Sequence, residues 1–256
     1  SYAPNGGSIV SYKWDFGDGS TASGVQVHHT FPTGKHTVKL TVMDNNGKKH
    51  TAVREFNVLA SQYPNLYLYL PFEGSFKDMS GKAMSVTVGE KTILENSKYG
   101  KSVRFNNDKS RAVNVAHSDY LDGLDEITIA FYAKKDSVAQ AETVIHKHVV
   151  YKIDLTAGGF GGYIYTDGKQ KSFSVKNVVN DTDWHHYAVT YDGSNIVMYL
   201  DGKEYSRVAC TGRISRDASR DIVIGRNPWG NSFEGLMDEI RIYDRALSES
   251  EIGQIM

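Results

Sequence analysis

The sequence predicts an all-β protein of two domains, a small β-sandwich followed by a larger antiparallel domain of two sheets. Glycine and Asx-Gly pairs recur at short intervals among the 256 residues. The stretches between them alternate polar with β-branched or aromatic residues, which is typical of short antiparallel strands. This alternation stops over residues 59–64 and resumes at residue 66. We therefore expect domains at residues 1–60 and 65–256, joined by a short linker.

The first domain is predicted to contain four strands. Its clearest one places Val38, Leu40 and Val42 on one face, because successive side chains of a strand point to opposite sides. We expect Trp14 and Phe16 to pack in the core rather than to contact a ligand. The predicted strands are residues 9–16, 25–31, 36–43 and 49–58.

The second domain is predicted to be a meander of hairpins. Asp201-Gly202 lies between two alternating segments, and glycine tolerates the positive φ of a type I′ turn. Such a meander hides its apolar faces by folding into two stacked sheets. The one helical signal is at the end of the chain, where Ser248 and Glu251 have the spacing of a capping box.

Composition excludes some classes of function. A net charge of −1 argues against a nucleic-acid partner, since such proteins usually carry a basic excess. No apolar run approaches the roughly 20 residues of a membrane-spanning helix. Cys210 is the one cysteine, so no intramolecular disulfide is possible. The chain begins at Ser1 without a signal peptide, and we expect it to be a piece of a longer protein.

Four short motifs mark the first domain. Residues 14–20 read WDFGDGS, and HTF, GKHTV and VMD follow at 29–31, 34–38 and 42–44. Together they resemble the PKD family. The resemblance implies an immunoglobulin-like β-sandwich over residues 1–60 that acts as a spacer or contact module and has no catalytic role.

Four motifs in order mark the second domain, namely FEG with DMSG at 72–81, WHHYAVTYDG at 184–193, IGR at 224–226 and GLMDEIRIY at 235–243. They resemble laminin-G-like domains of the concanavalin A-like lectin superfamily. The resemblance implies a two-sheet antiparallel jelly roll of the kind found in carbohydrate-binding modules and adhesive modules. We therefore expect a secreted or cell-surface bacterial protein that binds a polysaccharide and belongs to a larger polysaccharide-degrading enzyme with a covalently linked catalytic domain.

A structural calcium ion is expected near the start of the second domain. Ca²⁺ takes 6 to 8 oxygen ligands from carboxylates and irregular loops, and residues 72–81 offer such a loop. Because the resemblance implies that the first and last strands are neighbours, a carboxylate of the last strand joins the predicted set. The expected ligands are Glu73, Asp78, Ser80 and Asp238; the alternative is that these are turn-forming and surface residues.

The predicted glycan-binding residues are aromatic or polar. Trp229 lies in a polar loop with Arg226 and Asn227, and the alternative for it is simple loop packing. The other candidates are Tyr163, Tyr165, His146 and His148. A run of cations favours an acidic polysaccharide if several face one side, and a solvated surface otherwise. These cations are Lys203, Arg207, Arg213, Arg216, Arg220 and Arg226.

Catalysis is not expected. Retaining glycosidases need two carboxylates on one face about 5 Å apart, whereas Asp238 and Glu239 are adjacent and would point to opposite faces of a regular strand. Nothing near His146 and His148 completes a zinc site of three protein ligands. The alternatives to a carbohydrate-binding module are an adhesive module with a protein partner and an unrecognised polysaccharide lyase or hydrolase.

Overall fold

A computed structural model describes residues 8–27, 29, 34–58, 65–98, 100–108, 110–227 and 230–256. The chain divides into two compact units, Ser1–Pro64 and Asn65–Met256. Regular structure is almost entirely antiparallel β-sheet, which confirms the predicted fold class.

The described residues of the first unit form one four-stranded antiparallel sheet. Its strands are β1 (Ile9–Asp15), β2 (Thr21–Ser23), β3 (Gly34–Asp44) and β4 (Lys49–Val58), in the spatial order β2-β1-β3-β4. The prediction of a strand over residues 25–31 is wrong in its described part. The chain bends after β2 because Gly24 has a φ of +137°. Residues 28, 30 and 31 lie outside the described residues.

The WDFGDGS motif builds the turn after β1. The Asp18 carboxylate accepts hydrogen bonds from the amide (2.9 Å) and hydroxyl (2.6 Å) of Ser20, and its second oxygen lies 2.7 Å from His29 Nε2. These bonds hold the pKa of Asp18 well below its usual range. Phe16 is buried and stacks on the His29 ring at 4.0 Å, and the Trp14 indole donates to a backbone carbonyl at 2.9 Å. Both aromatic side chains therefore serve the fold, as predicted.

The second unit consists of two sheets. The strands of the eight-stranded sheet are β5 (Leu66–Leu70), β7 (Ile93–Ser97), β8 (Gly100–Asn106), β10 (Ile127–Lys135), β15 (His185–Tyr191), β16 (Asn195–Leu200), β17 (Lys203–Ala209) and β19 (Glu234–Tyr243). Their order is β17-β16-β15-β10-β19-β8-β7, and β5 also pairs with β19. The first and last strands of the unit are thus neighbours, as the resemblance implied.

The seven-stranded sheet has the order β14-β13-β12-β11-β18-β9-β6. Its strands are β6 (Val86–Val88), β9 (Val113–Val115), β11 (Glu142–Lys147), β12 (Tyr151–Thr156), β13 (Gly159–Thr166), β14 (Lys169–Val175) and β18 (Ile222–Ile224). Aromatic rings pack between the two sheets. Tyr187 lies 5.5 Å from Phe131 of its own sheet and 5.2 Å from Phe160 of the other.

Local signals near the end of the chain are confirmed. Asp201 and Gly202 both have positive φ, as a type I′ turn requires. Helix α1 (Glu249–Gln254) begins after Ser248, whose side chain accepts from the Glu251 amide while the Glu251 carboxylate accepts from the Ser248 amide.

A β-bulge in β19 overturns one sequence prediction. The pairing of β10 with β19 shifts between Tyr132↔Asp238 and Ala130↔Arg241, and Glu239 has a φ of +52°. The extra residue breaks the alternation of side chains. Tyr69, which alternates with buried core residues of β5, donates its hydroxyl to Glu239. Asp238 and Glu239 therefore point to the same, outward side of the sheet rather than to opposite faces.

Candidate functional site

Four neighbouring strands of the seven-stranded sheet turn a polar side outward. In β12, Ile153 and Leu155 are buried in the core, so Lys152 and Asp154 between them point outward. The pairings His146↔Lys152, Lys152↔Tyr163 and Tyr163↔Ser172 then form one row across β11 to β14. We call this side the outer face; its residues are Thr143, His146, Lys152, Asp154, Tyr163, Tyr165, Gln170 and Ser172.

Hydrogen bonds organise the centre of the outer face. The Asp154 carboxylate accepts from the Thr143 hydroxyl at 2.7 Å and lies 2.7 Å from the Lys152 ammonium. The same ammonium lies 5.4 Å from the centre of the Tyr163 ring. Lys152 and Asp154 neutralise each other and leave a donor and an acceptor side by side.

Two tyrosines border this centre. The rings of Tyr163 and Tyr165 meet edge to face at 5.5 Å, and both side chains are half-buried. The Tyr165 hydroxyl donates to Gln170 Oε1 at 2.9 Å, and Gln170 Nε2 donates to the Ser172 hydroxyl at 3.2 Å. Burial raises the pKa of Tyr163, so its hydroxyl stays protonated near neutral pH. The predicted pair of tyrosines thus lies on one strand face.

His146 and His148 follow each other along the end of β11. His146 is only 4% exposed, and its ring centre lies 6.5 Å from that of His148. Burial, with smaller effects from His148 and Lys152, lowers the pKa of His146 to about 4. The imidazole is therefore neutral at pH 7 and offers one donor and one acceptor nitrogen.

Residues 225–227 and 230–232, in the loop after β18, border the outer face. Asn227 Nδ2 donates to the Thr143 hydroxyl at 2.9 Å, and the Asn227 amide donates to the Ser232 hydroxyl at 3.1 Å. Arg226 is half-buried at the start of this loop. Trp229 lies outside the described residues. The structure thus brings together predicted residues from three distant parts of the sequence.

Half of the predicted cationic run is paired with carboxylates of the protein itself. Arg207 pairs with Glu204 at 2.7 Å, Arg213 pairs with Asp125 at 3.1 Å, and Arg216 pairs with Asp119. Lys203 belongs to β17 of the other sheet. These cations do not form one basic surface.

Comparison with known families decides the classification. The family model for the concanavalin A-like lectin/glucanases superfamily matches residues 107–253, more than half of the chain. The chain belongs to this superfamily. A PKD domain model matches residues 1–58, so the chain combines a PKD domain with a concanavalin A-like domain.

Curated relatives match short segments of the chain. Collagenase ColA of Clostridium perfringens (strain 13 / Type A) is 43% identical over 54 residues, which are 21% of this chain and 5% of that protein. Collagenase ColA of Bacillus cereus is 43% identical over 44 residues, 17% of this chain and 5% of that protein. The chain therefore spans a small part of these relatives.

Solved structures share the fold of the concanavalin A-like domain. The binding domain of Paraclostridial Mosquitocidal Protein 1 has a TM-score of 0.63 at 18% identity, covering 75% of this chain and 51% of that one. Domain 4 of AbnA, a GH43 extracellular arabinanase from Geobacillus stearothermophilus solved with arabinotriose, has a TM-score of 0.61 at 20% identity, covering 75% of this chain and 98% of that one. At such identities the likeness shows the fold alone.

Two of the predicted calcium ligands in the concanavalin A-like domain are engaged in hydrogen bonds. One oxygen of Asp78 accepts from the amides of Tyr69 and Ser80, both at 2.9 Å. The other accepts from the Ser80 hydroxyl at 2.8 Å and the Met84 amide at 3.0 Å. Asp78 and Ser80 therefore organise the loop after β5 through their own bonds.

Glu73 and Asp238, the other two predicted ligands, lie close enough to interact electrostatically. Asp238 is fully buried and accepts from the Ser102 hydroxyl at 3.0 Å. Burial, with smaller effects from the charges of Glu239 and Glu73, raises its pKa to about 7. Glu73 accepts from the Lys101 amide at 3.2 Å. Among the described residues, no group of three or more His, Cys, Asp or Glu side chains is arranged to hold a metal ion.

The outward side of the eight-stranded sheet carries a buried polar row that sequence reasoning missed. The pairings Asp238↔Tyr132 and Tyr132↔His186 place these residues side by side on β19, β10 and β15. The rings of Tyr132 and His186 are 5.0 Å apart, and His186 is 1% exposed. Arg241 on this side donates to the carbonyl of Ile255, at the end of the C-terminal helix. These side chains are therefore buried, and a polymeric substrate cannot reach them.

Within the described part of the chain, no helix has both the length and the apolar character needed to cross a lipid bilayer.

Proposed function

We propose that the concanavalin A-like domain is a binding module that holds a polysaccharide on its outer face. The observation that carries this proposal is the row Lys152, Tyr163 and Ser172, supported by Asp154 and Asn227, with the buried His146 at its end. A sugar ring presents hydroxyl groups that both donate and accept, together with an apolar C–H face. The outer face offers paired donors and acceptors beside a half-buried aromatic ring, which matches both features.

The comparisons support this assignment by analogy. Domain 4 of AbnA was solved with arabinotriose, and the binding domain of botulinum neurotoxin DC was solved with SialylT. Both share the fold, and folds host different ligands. The proposal therefore depends on the residues of the outer face, and the relatives suggest which glycans to test first.

Calorimetric titration with a panel of plant, algal and animal glycans tests the proposal. We expect Tyr163→Ala and Asp154→Asn each to weaken binding by about tenfold or more, because each removes a packed ring or a charge-assisted hydrogen bond. Tyr205→Ala is the matched control, since Tyr205 is an exposed tyrosine on β17 of the other sheet. Equal losses in Tyr205→Ala, or no binding to any glycan, would refute the proposal.

We propose further that the module is non-catalytic. On the outer face the one carboxylate is Asp154, which is already paired with Lys152, and His146 is almost completely buried. No pair of carboxylates with the spacing that retaining chemistry needs is present on this face of the described residues. Incubation with each bound glycan should give no new reducing ends and no unsaturated products; their appearance, and their loss in Asp154→Asn, would show an enzyme.

The PKD domain is proposed to act as a spacer in a secreted or cell-surface bacterial protein that also carries a catalytic domain. The support is the combination of domains together with the match to segments of two bacterial collagenases. Localising the full-length protein by fractionation of the producing bacterium tests this, and recovery solely from the cytoplasm would refute it.

A structural calcium ion is also proposed, with Glu73 and Asp238 as its carboxylate ligands. The support is the burial of Asp238 beside two further carboxylates, since a bound cation would offset their repulsion. Calcium would stabilise the junction of the first and last strands. Removing it with a chelator should lower the melting temperature of wild type and leave that of Asp238→Asn unchanged. An unchanged wild-type midpoint would refute this proposal.

A further inference from the structure

Two arginines of the concanavalin A-like domain are half-buried and have no charged partner among the described residues. Most arginines of this domain pair with a carboxylate, as Arg104 does with Asp136 at 2.8 Å. Among the described residues, Arg111, Arg220 and Arg226 make no such pair. Arg220 is exposed to water, whereas Arg111 and Arg226 are half-buried.

The Nε atoms of both half-buried arginines lack a hydrogen-bond acceptor. Each is removed from solvent and has no hydrogen-bond partner among the described residues. A guanidinium cannot lose its proton to escape this situation, and buried polar groups in folded proteins are almost always hydrogen-bonded. Arg241 Nε is in the same situation, but the other nitrogens of Arg241 bond to Ile255 and Glu239. For Arg111 and Arg226 the described residues supply neither a charged partner nor an acceptor for Nε.

Strand register places the two arginines at the same end of neighbouring strands. Val113 of β9 pairs with Ile224 of β18 in antiparallel fashion. Arg111 precedes Val113 by two residues and Arg226 follows Ile224 by two, so both leave the sheet at one end.

The loops that follow are joined by hydrogen bonds. The Ser232 amide donates to Asn107 Oδ1 at 3.1 Å, and the Asn227 amide donates to the Ser232 hydroxyl at 3.1 Å. Asn227 also donates to Thr143 of the outer face. The end of the sheet that carries the arginines is therefore continuous with the outer face.

We propose that Arg111 and Arg226 form a subsite for an anionic group, a carboxylate or a sulfate ester, of the glycan bound on the outer face. This inference rests on the proposed function. The planar guanidinium presents donors in a fork that matches such groups. Lys152 is already paired with Asp154, whereas these two guanidinium groups have no carboxylate partner among the described residues.

The subsite assigns the binding of an acidic polysaccharide to Arg111 and Arg226 rather than to the run of six cations that the sequence suggested. Three of the six cations that the sequence suggested are paired within the protein, and the last one, Arg226, borders the outer face. Its partner Arg111 lies far from that run in the sequence.

Titrations with three glycans test the subsite. Polygalacturonate carries carboxylates, carrageenan carries sulfate esters, and arabinan is neutral. We expect one of the two anionic polymers to bind more tightly than arabinan, with an affinity that falls as NaCl rises from about 0.05 to 0.5 M. Arg111→Ala and Arg226→Ala should each weaken this binding about tenfold or more, while Arg220→Ala, the exposed control, leaves it unchanged.

The outcomes separate the two proposals. Binding of arabinan that depends on Tyr163, with no preference for either polyanion, would overturn the subsite and leave the proposed function standing. Equal losses in Arg220→Ala would show diffuse attraction and also overturn it. No binding to any of the broader glycan panel would overturn the proposed function itself. If either alanine variant fails to fold by calorimetry, Arg111→Lys and Arg226→Lys retain the charge and should weaken binding by losing the fork.

Discussion

Replacing Asp78 by alanine removes the carboxylate that holds the loop between β5 and β6. That carboxylate accepts bonds from the amides of Tyr69, Ser80 and Met84 and from the Ser80 hydroxyl, at 2.8 to 3.0 Å. The bonds connect the first strand of the domain to its irregular loop. Their loss leaves three partly buried amides in need of another acceptor.

The expected cost follows from these bonds. A hydrogen bond contributes roughly 0.5–1.5 kcal/mol net, and a buried donor left without a partner costs roughly 1–3 kcal/mol. Water reaches some of these half-buried amides and replaces part of the loss. We therefore expect Asp78→Ala to lower the free energy of unfolding of the concanavalin A-like domain by about 2–4 kcal/mol. Asp78→Asn should lie between wild type and alanine, because its amide nitrogen cannot accept.

Calorimetry or urea unfolding of the whole chain measures this change, and the larger domain gives the transition of larger enthalpy. Glu90→Ala, at an exposed position, is the control and should leave the transition unchanged. The loss should be the same with calcium and with chelator, since both oxygens of Asp78 are already engaged. A loss below about 1 kcal/mol would refute the hydrogen-bond account, and a loss seen only with calcium would make Asp78 a metal ligand instead.

Two further predictions concern the interior. Phe160→Ala should destabilise the domain by about 3–5 kcal/mol, because it removes the ring that contacts Tyr187 between the sheets; urea unfolding measures this, and a cost below about 1 kcal/mol would contradict the packing described. Burial, with a smaller effect from Arg241, lowers the pKa of His186 from 6.5 to about 4. His186 therefore binds a proton more readily in the unfolded chain than in the folded one. Its contribution to the free energy of unfolding is fully present above pH 6.5 and falls by about 3 kcal/mol as the pH falls towards 4. His146 acts in the same direction, so His186→Phe should reduce the slope of unfolding free energy against pH over this range, and an unchanged slope would disprove the assignment.

The elements that the sequence predicted correctly are those decided by residues within a few positions of one another. The Asp201-Gly202 turn and the Ser248 capping box are each encoded within a few positions, and both are confirmed. The alternating segments on either side of that turn are strands β16 and β17, as predicted. These signals are local, because backbone conformation and hydrogen bonding within one turn decide them.

The arrangement of the site residues depends on strand register and tertiary packing, which local sequence patterns do not reveal. Tyr163 and His146 were candidates by residue type, but the register of β11 to β13 is what places them in one row. Strict alternation predicts that Asp238 and Glu239 point to opposite faces of the sheet. The bulge at Glu239 places both on one face, because one extra residue shifts every later side chain. Arg111 carried no signal in the sequence. Its half-burial, and the absence of an acceptor for its Nε among the described residues, arise from tertiary packing.

Backbone amide shifts recorded during titration with the glycan that binds most tightly test the central claim most directly. The account predicts that the largest changes fall on β11 to β14 and on residues 225–227 and 230–232, centred on Lys152, Asp154 and Tyr163. Changes centred on the eight-stranded sheet, with the outer face unaffected, would contradict it.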